Sequence, residues 1–301
     1  MSISIATHNG FYHSDDLFAV ATIGLYLGDD VNLEIIRTRD ERVIASADFV
    51  VDVGGEFNPD KKIFDHHQEG GGGVRPNGVP YAAFGLVWKT YGEKITGDRR
   101  IAEKVDRRIV QPIDSEDNGV KVASEVFEEI SPYTIQDMFF AFAPTWKEED
   151  TNIDAIFESC VNIAKRILKR EMKMIYSVTL AESFVESFYK NTEDKRVIVL
   201  DQYYPWKVVM LGYPEPLYVV YPGSSGETWH VHAVPKKKNS LDVRLSFPEE
   251  WAGKSYEELA ELSGVSDALF THNKRFLSVA KSKEGAEQLA WKAIEQFNEK
   301  Q

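Results

Sequence analysis

The chain has a single cysteine, Cys160, and no apolar run close to the roughly 20 residues that a membrane-spanning helix needs. One cysteine excludes an intramolecular disulfide and a zinc site built from several thiolates. The first residues, Met1–Ala6, have neither the basic and long apolar segments of a secretory signal nor the arginine-rich character of a transit peptide. These absences predict a cytoplasmic protein without a membrane partner.

Positive charge is also scarce, because 35 lysines and arginines stand against 48 aspartates and glutamates, for a net charge of −13. This balance argues against a protein that coats nucleic acid, although it leaves room for an enzyme with a local basic track. The apolar and charged fractions, 43% and 28%, are ordinary for a folded protein. A length of 301 residues predicts two domains.

The first half of the chain alternates short apolar runs with helical patterns. Strands are predicted at Ser2–Thr7, Leu33–Thr38 and Phe49–Val53, and helices at Asp16–Leu27, Pro80–Tyr91 and Arg99–Asp114. This order predicts an α/β domain over residues 1–150, built on a parallel sheet. Its functional site is expected in the loops that follow the strands.

The second half begins with apolar residues at helical spacing from Asn152 to about Asn191, with no proline or glycine between them. This pattern predicts one long amphipathic helix, or two abutting ones, that links the domains over residues 151–191. A smaller α+β domain that binds substrate is predicted over residues 192–301. Its strands are expected at Arg196–Asp201, Trp206–Gly212, Leu217–Tyr221, Trp229–Val234 and Leu241–Phe247, followed by a helix that ends near Gly264, an extended segment Phe270–Val279 and a last helix Lys283–Phe297.

Histidines and aspartates are concentrated in polar loops of the first 120 residues. Four of the seven histidines lie before residue 68, each close to an aspartate. Imidazole and carboxylate together suit divalent first-row metals, and two ions roughly 3.5–4 Å apart need a bridging carboxylate. The sequence therefore predicts a metal-dependent hydrolase, with its candidate ligands among His8, His13, Asp15, Asp52, Asp65, His66, His67, Asp114 and Asp117.

The triplet Asp65-His66-His67 resembles the signature of the DHH phosphoesterase superfamily, which includes RecJ-type exonucleases and family II inorganic pyrophosphatases. The fuller set of motifs is similar to that of the MYG family of DHH-like proteins, and it extends over nearly the whole chain. These motifs are Thr7-His8-Asn9-Gly10, His13 with Asp15, Asp52-Val53-Gly54-Gly55, Phe64-Asp65-His66-His67-Gln68, Ala83-Phe84-Gly85-Leu86-Val87-Trp88, Ile113-Asp114-Ser115-Glu116-Asp117-Asn118-Gly119 and Trp229-His230-Val231-His232.

The resemblance implies a DHH-type domain with two divalent ions, Mn²⁺ or alternatively Mg²⁺, and 3′–5′ exonuclease activity on RNA. By motif, His8 and His13 are expected to bind one ion and Asp15 the other, with Asp52 bridging them. His66 is expected as a further ligand that Asp65 orients, and His67 as the contact to the scissile phosphate. Asp114 or Asp117 would complete the second ion, and the sequence leaves that choice open.

Three departures from the family pattern concern His13, the pair Asp15-Asp16 and the segment Lys274-Arg275-Phe276-Leu277. His13 stands where the superfamily often has an aspartate, and Asp16 where the family more often has a glutamate. Lys274 to Leu277 occupy the place of an expected Gly-Gly pair, which allows close approach of backbone to substrate phosphates in relatives.

The leading hypothesis is a two-metal phosphodiesterase that acts on single-stranded RNA or short oligonucleotides, either alone or as a homodimer. A small-molecule phosphoesterase acting on pyrophosphate or a nucleotide is the alternative within hydrolases, and a non-catalytic metal-binding scaffold is the alternative outside them. Candidate substrate contacts in the second domain, in addition to His67 in the first, are His230, His232, Arg244, His272 and Arg275.

Overall fold

A computed structural model describes residues 2–148 and 151–299 of the chain. The fold consists of two compact units, residues 1–176 and residues 177–301. The boundary falls within one continuous helix, α7 (Ile153–Asn191), so of the two predicted forms, one long helix or two abutting ones, the structure has the first. The linker segment predicted at residues 151–191 therefore contributes its first part to one unit and its last part to the other.

The first unit contains a five-stranded sheet in the order β2-β1-β3-β5-β4. Neighbouring strands among β2, β1, β3 and β5 are parallel, and only β4 at the edge is antiparallel to its neighbour. The carboxyl ends of the parallel strands thus meet at one edge of the sheet. The strands are β1 (Ser2–Thr7), β2 (Asn32–Arg37), β3 (Phe49–Val51), β4 (Phe57–Asn58) and β5 (Ile63–Phe64).

Helices supply most of the core around this sheet. Phe18 of α1 stacks on Phe84 of α3, with ring centroids 5.2 Å apart, and both side chains are fully buried. A π-helical turn, Asp106–Val110, joins α4 to α5, and such turns recur at functional sites. The helices are α1 (Ser14–Leu27), α2 (Glu41–Ser46), α3 (Ala83–Thr96), α4 (Arg99–Val105), α5 (Gln111–Asp117) and α6 (Ile135–Phe140).

The second unit has a mixed five-stranded sheet in the order β6-β7-β8-β10-β9, in which only β6 and β7 pair in parallel. Alternate residues of the sheet enter two separate clusters, one around Tyr218 and Val231 and the other around Val219 and Trp206. Its elements are β6 (Val197–Val199), α8 (Lys207–Leu211), β7 (Tyr218–Pro222), β8 (Trp229–Ala233), α9 (Tyr256–Ser263), β9 (Ala268–Thr271), β10 (Leu277–Ala280) and α10 (Lys283–Glu299).

The predicted mixture of helices with parallel strands is confirmed, but two predicted strands are wrong. Trp206–Gly212 is mainly helix α8, because Trp206, Val209 and Met210 are buried at helical spacing. Leu241–Phe247 buries alternate residues, but it bends at Arg244 and Leu245 and forms only one isolated bridge, Pro235 to Val243, so it lies outside the sheet.

The extended segment predicted at Phe270–Val279 is interrupted by a turn between β9 and β10, where Arg275 has a left-handed backbone with φ of 57°. A glycine takes this conformation without a steric penalty. Arg275 adopts it here, within the segment Lys274–Leu277 where the family resemblance leads us to expect a Gly-Gly pair.

Within residues 2–148 and 151–299, no helix has both the length and the apolar character needed to cross a membrane.

Candidate metal centre

Three loops at the carboxyl edge of the first sheet carry the predicted histidines and aspartates. His8 directly follows β1, Asp52 directly follows β3, and His66 lies two residues after β5. Asp117 reaches the same place as the last residue of α5. The parallel order of β1, β3 and β5 therefore brings together side chains that are distant in the sequence.

Asp52 lies at the centre of the cluster. Its Oδ2 is 3.3 Å from Nε2 of His8, and its Oδ1 is 3.2 Å from Nε2 of His66 and 3.5 Å from Nδ1 of His67. The backbone of Asp52 is left-handed, with φ of 56°, which costs a residue with a Cβ about 1 kcal/mol. Such strain is concentrated at functional sites, and here it accompanies the placement of a buried carboxylate between three imidazoles.

Three sets of side chains have ligand atoms within 4.8 Å of one another, which is close enough to hold a metal ion. Asp52 belongs to two of these sets and His13 to two, so the sets form one connected cluster. The sets are His8, His13 and Asp52; Asp52, His66 and His67; and His13, Asp15 and Asp117.

The cluster carries more buried negative charge than its protein neighbours compensate by hydrogen bonds. Asp15 is fully buried, and among the described residues neither of its carboxylate oxygens has a hydrogen-bond partner. Burial, together with the charges of Asp52 and Asp117, raises its pKa well above the ordinary value. An unpartnered buried carboxylate is costly, and a bound cation would remove that cost. The donor set of imidazoles and carboxylates fits a divalent first-row metal.

Two histidines of the cluster bind protons strongly. Burial opposes their charge, but contacts to Asp16 and Asp52 raise the pKa of His8 to about 10, and contacts to Asp117 and Asp52 raise that of His66 to about 10. For Asp52, burial is likewise outweighed by His66 and His8, and its pKa is lowered to about 2. Protons on the two imidazoles thus occupy the positions from which nitrogen lone pairs would bind a metal.

Asp65 contacts His67 and not His66, the histidine it was predicted to orient. One carboxylate oxygen accepts hydrogen bonds from Nδ1 of His67 at 2.8 Å and from the backbone N–H of His67 at 3.1 Å. The other accepts from the backbone N–H of Gly55 at 2.6 Å. The imidazole of His67 is 63% exposed, and the bond to Asp65 raises its pKa. A buried carboxylate thus holds an accessible imidazole beside Asp52.

Asp114 and Asp117, between which the sequence leaves the choice of ligand open, occupy different positions. Asp117 places one carboxylate oxygen 3.1 Å from Nε2 of His66 and the other 3.9 Å from Nδ1 of His13. Asp114 lies outside the three ligand sets, with one oxygen accepting the backbone N–H of Gly85 at 2.9 Å and the other 2.7 Å from Nη2 of Arg75. Asp117 is therefore the candidate ligand, and Asp114 fixes the helix that presents it.

Several residues of the site were not predicted. Asp16 lies 3.0 Å from Nε2 of His8 through Oδ2, and its other oxygen accepts the backbone N–H of His13 at 3.2 Å. A pocket of about 600 Å³ opens over the cluster. Arg39 lies just after β2, and this position could have identified it from the sequence as a site residue. The residues from the later helices have no comparable sequence signal. The unpredicted lining residues are Arg39, Glu116, Asn118, Gln136 and Phe140.

The predicted substrate contacts of the second domain all lie in the second unit. Arg244 donates to the backbone oxygens of Pro216 at 2.9 Å and Met210 at 3.1 Å, which is a structural role. The remaining four residues are partly exposed, and their binding role stays a prediction. His230 and His232 lie on one face of β8, and His272 and Arg275 lie in the turn between β9 and β10.

This first unit, an α/β domain whose strand ends gather imidazoles and carboxylates, defines a protein with a candidate metal-binding hydrolytic site. Comparison with known sequences gives its family. The MYG1_exonuc model, described as an uncharacterised protein family (UPF0160), matches residues 4–294, and the chain belongs to that family.

Similar proteins are found in distant organisms. An MYG1 protein of Schizosaccharomyces pombe is 28% identical and covers 97% of this chain and 98% of its own length. The human protein named MYG1 exonuclease is 28% identical over 95% of this chain and 84% of its own length. An MYG1 protein of Chlamydia pneumoniae is 30% identical over 94% of each chain. The similarity thus extends through both units.

Proposed function

We propose that the chain is a two-metal phosphodiesterase, a 3′–5′ exonuclease on single-stranded RNA or short oligonucleotides. The observation that carries the proposal is the position of Asp52, whose carboxylate is shared by two sets of candidate ligands. A shared carboxylate between two ligand sets is the arrangement that a pair of divalent ions requires. Mn²⁺ suits the mixed imidazole and carboxylate donors, with Mg²⁺ as the alternative.

Three further observations support the proposal. Relatives that match nearly all of this chain, such as the human and rat proteins, are named exonucleases. The order of motifs also resembles that of DHH phosphoesterases, which cleave phosphoester bonds. The same fold position, the carboxyl edge of a parallel sheet, is where α/β enzymes commonly bind their substrates.

The protein groups would act on the substrate from fixed positions. His8, His13 and Asp52 would hold one ion, Asp15, His66 and Asp117 the second, and Asp52 would touch both. When bound, divalent ions supply an acidified water and neutralise charge on phosphoryl oxygens. The accessible imidazole of His67, held by Asp65, would in its protonated form donate a hydrogen bond to a phosphate oxygen and stabilise its charge.

Hydrolysis assays test this function directly. Purified protein is incubated with Mn²⁺, with Mg²⁺ or with chelator, on single-stranded RNA, single-stranded DNA, a dinucleotide and pyrophosphate. Loss of a candidate metal ligand should remove most of the activity. In Asp52→Asn and in His66→Ala, we therefore expect the rate of hydrolysis to fall at least roughly a hundredfold. The matched control is Asp60→Asn, because Asp60 is an exposed carboxylate in the turn between β4 and β5.

The outcomes separate the competing functions. Metal-dependent removal of nucleotides from the 3′ end of RNA supports the proposal. Turnover of pyrophosphate alone indicates a small-molecule phosphoesterase, and tight metal binding without turnover of any phosphoester indicates a scaffold. Full activity in chelator, or in Asp52→Asn, contradicts the two-metal mechanism.

A further inference from the structure

Two phenylalanines form an exposed aromatic edge beside the metal-binding cluster. Phe11 is 64% exposed and Phe140 is 38% exposed, and their rings meet edge to face at 6.0 Å. The ring of Phe140 is also 6.2 Å from that of His13, which belongs to two of the three ligand sets. Phe140 lines the pocket that contains the cluster. The aromatic edge therefore begins at a candidate metal ligand and extends outward.

The two elements that carry these rings are firmly joined. Tyr12, next to Phe11, is buried and donates its hydroxyl to the backbone oxygen of Phe139 at 3.4 Å. The backbone N–H of Ser14 donates to Oε1 of Gln136 at 2.6 Å. Arg37 also donates to the backbone oxygen of Gly10. Contacts of neighbouring residues, and not burial of the two rings, thus hold Phe11 and Phe140 side by side.

The same pocket contains one arginine, Arg39, among its lining residues. Arg39 is exposed and follows the carboxyl end of β2, while the rest of the lining is histidine, carboxylate, amide and Phe140. A guanidinium can bind phosphate with two hydrogen bonds. The pocket thus combines a metal-binding centre, a cation suited to phosphate and an apolar ring surface, which are the features of a site for a nucleotide.

We propose that Phe11 and Phe140 form a stacking platform for a nucleobase attached to the phosphate bound at the metal-binding cluster. This inference rests on the proposed phosphodiesterase function and names the part of the substrate that the site recognises. The proposed occupant is a base of a nucleic-acid strand, since every base offers a flat face for an aromatic ring. Pyrophosphate has no such group, so the platform would favour nucleotide phosphoesters over it.

The test compares a short RNA oligonucleotide with the same oligonucleotide made abasic. In Mn²⁺, the wild-type KM should be lower for the base-bearing strand by roughly fivefold or more. Phe11→Ala and Phe140→Ala should bring this ratio close to one, whereas Phe11→Tyr, which keeps a ring, should preserve it. The control Tyr176→Ala removes an aromatic ring that is 56% exposed on α7, and the ratio should stay at its wild-type value.

Binding is measured separately by calorimetry with phosphorothioate-linked strands, which resist hydrolysis. The Kd ratio of abasic to base-bearing strand should fall in Phe11→Ala as the KM ratio does. Because Phe11 is mostly exposed, its replacement should leave the fold intact, and the circular dichroism spectrum checks this. An unchanged ratio in both alanine variants would overturn the platform while leaving metal-dependent hydrolysis in place. If no strand is hydrolysed, the proposed function fails, and the Kd ratio alone then decides for or against the platform.

Discussion

Asp114 accepts a hydrogen bond from the backbone N–H of Gly85 at 2.9 Å, and so connects the start of α3 to α5 inside the first unit. The other carboxylate oxygen lies 2.7 Å from Nη2 of Arg75, which also contacts Asp106 at 2.8 Å and the ring of Tyr81. Arg75 belongs to the loop that follows His66 and His67. One buried network therefore holds both the helix that presents Asp117 and the loop that continues from the histidine pair.

Gly85 is the position in this network that tolerates a side chain least. A Cβ at Gly85 would lie 1.8 Å from Oδ2 of Asp114 and 2.7 Å from Nη2 of Arg75. Gly85→Ala should therefore break the ion pair and lower the free energy of unfolding by about 3 kcal/mol or more. Chemical denaturation of metal-free protein measures the loss. Glu93→Ala, on the exposed face of the same helix, is the control and should stay within about 0.5 kcal/mol of wild type.

Asp114 and Asp117 should respond differently to the same substitution. Asp117→Asn removes a candidate ligand at the pocket, so Mn²⁺ affinity should fall by at least roughly tenfold while metal-free stability changes little. Asp114→Asn removes a negative charge that faces the buried guanidinium of Arg75, so the free energy of unfolding should fall by about 2–4 kcal/mol. Calorimetric titration with Mn²⁺ and denaturation in chelator measure the two quantities. Equal effects on both quantities in the two variants would refute the assigned roles.

Much of the first unit could be predicted because its sequence signals are local. The strands β1 and β2 begin with alternating polar and apolar residues, and the helix α1 has two aspartates in its first turn. The strand β5, by contrast, has only two residues, Ile63 and Phe64, and is defined by pairing with β3. Such a strand has no periodicity of its own, so a single sequence does not reveal it.

The site shows the same division between local and tertiary information. The types of candidate ligand follow from residues next to strand ends, as with His8 and Asp52. The choice of Asp117 over Asp114 does not, because both occur in one motif and only the facing partners, His66 and Gly85, distinguish them. In the second unit, the short apolar run of α8 fits a strand or a helix equally well, and burial of Trp206 and Met210 decides for the helix.

Metal binding should depend steeply on pH, because His8 and His66 have pKa values raised to about 10 without metal. A ligating imidazole must be neutral, so each ion displaces protons as it binds. Mn²⁺ affinity should therefore rise by about tenfold per pH unit for each proton displaced, between roughly pH 6 and 9. Calorimetry in two buffers of different ionisation enthalpy counts the released protons. His66→Ala should release fewer protons than wild type, and a pH-independent affinity would contradict the predicted competition.

Stability of the second unit should also depend on pH, through His232. Burial lowers the pKa of His232 to about 4, and its Nδ1 lies 2.9 Å from the backbone oxygen of Ala233. Between that value and the ordinary 6.5, the unfolded chain binds more protons than the folded one, so stability rises with pH. The contribution is complete above about pH 6.5 and is lost as the pH falls towards 4, with an upper limit of about 3 kcal/mol.

His232→Asn, whose amide can replace the Nδ1 donor, should flatten this dependence. Hydrogen exchange of β8 peptides in guanidinium measures this dependence at about pH 5 and 7.5. Parallel pH profiles for both proteins would rule out the partly buried His232 as its cause.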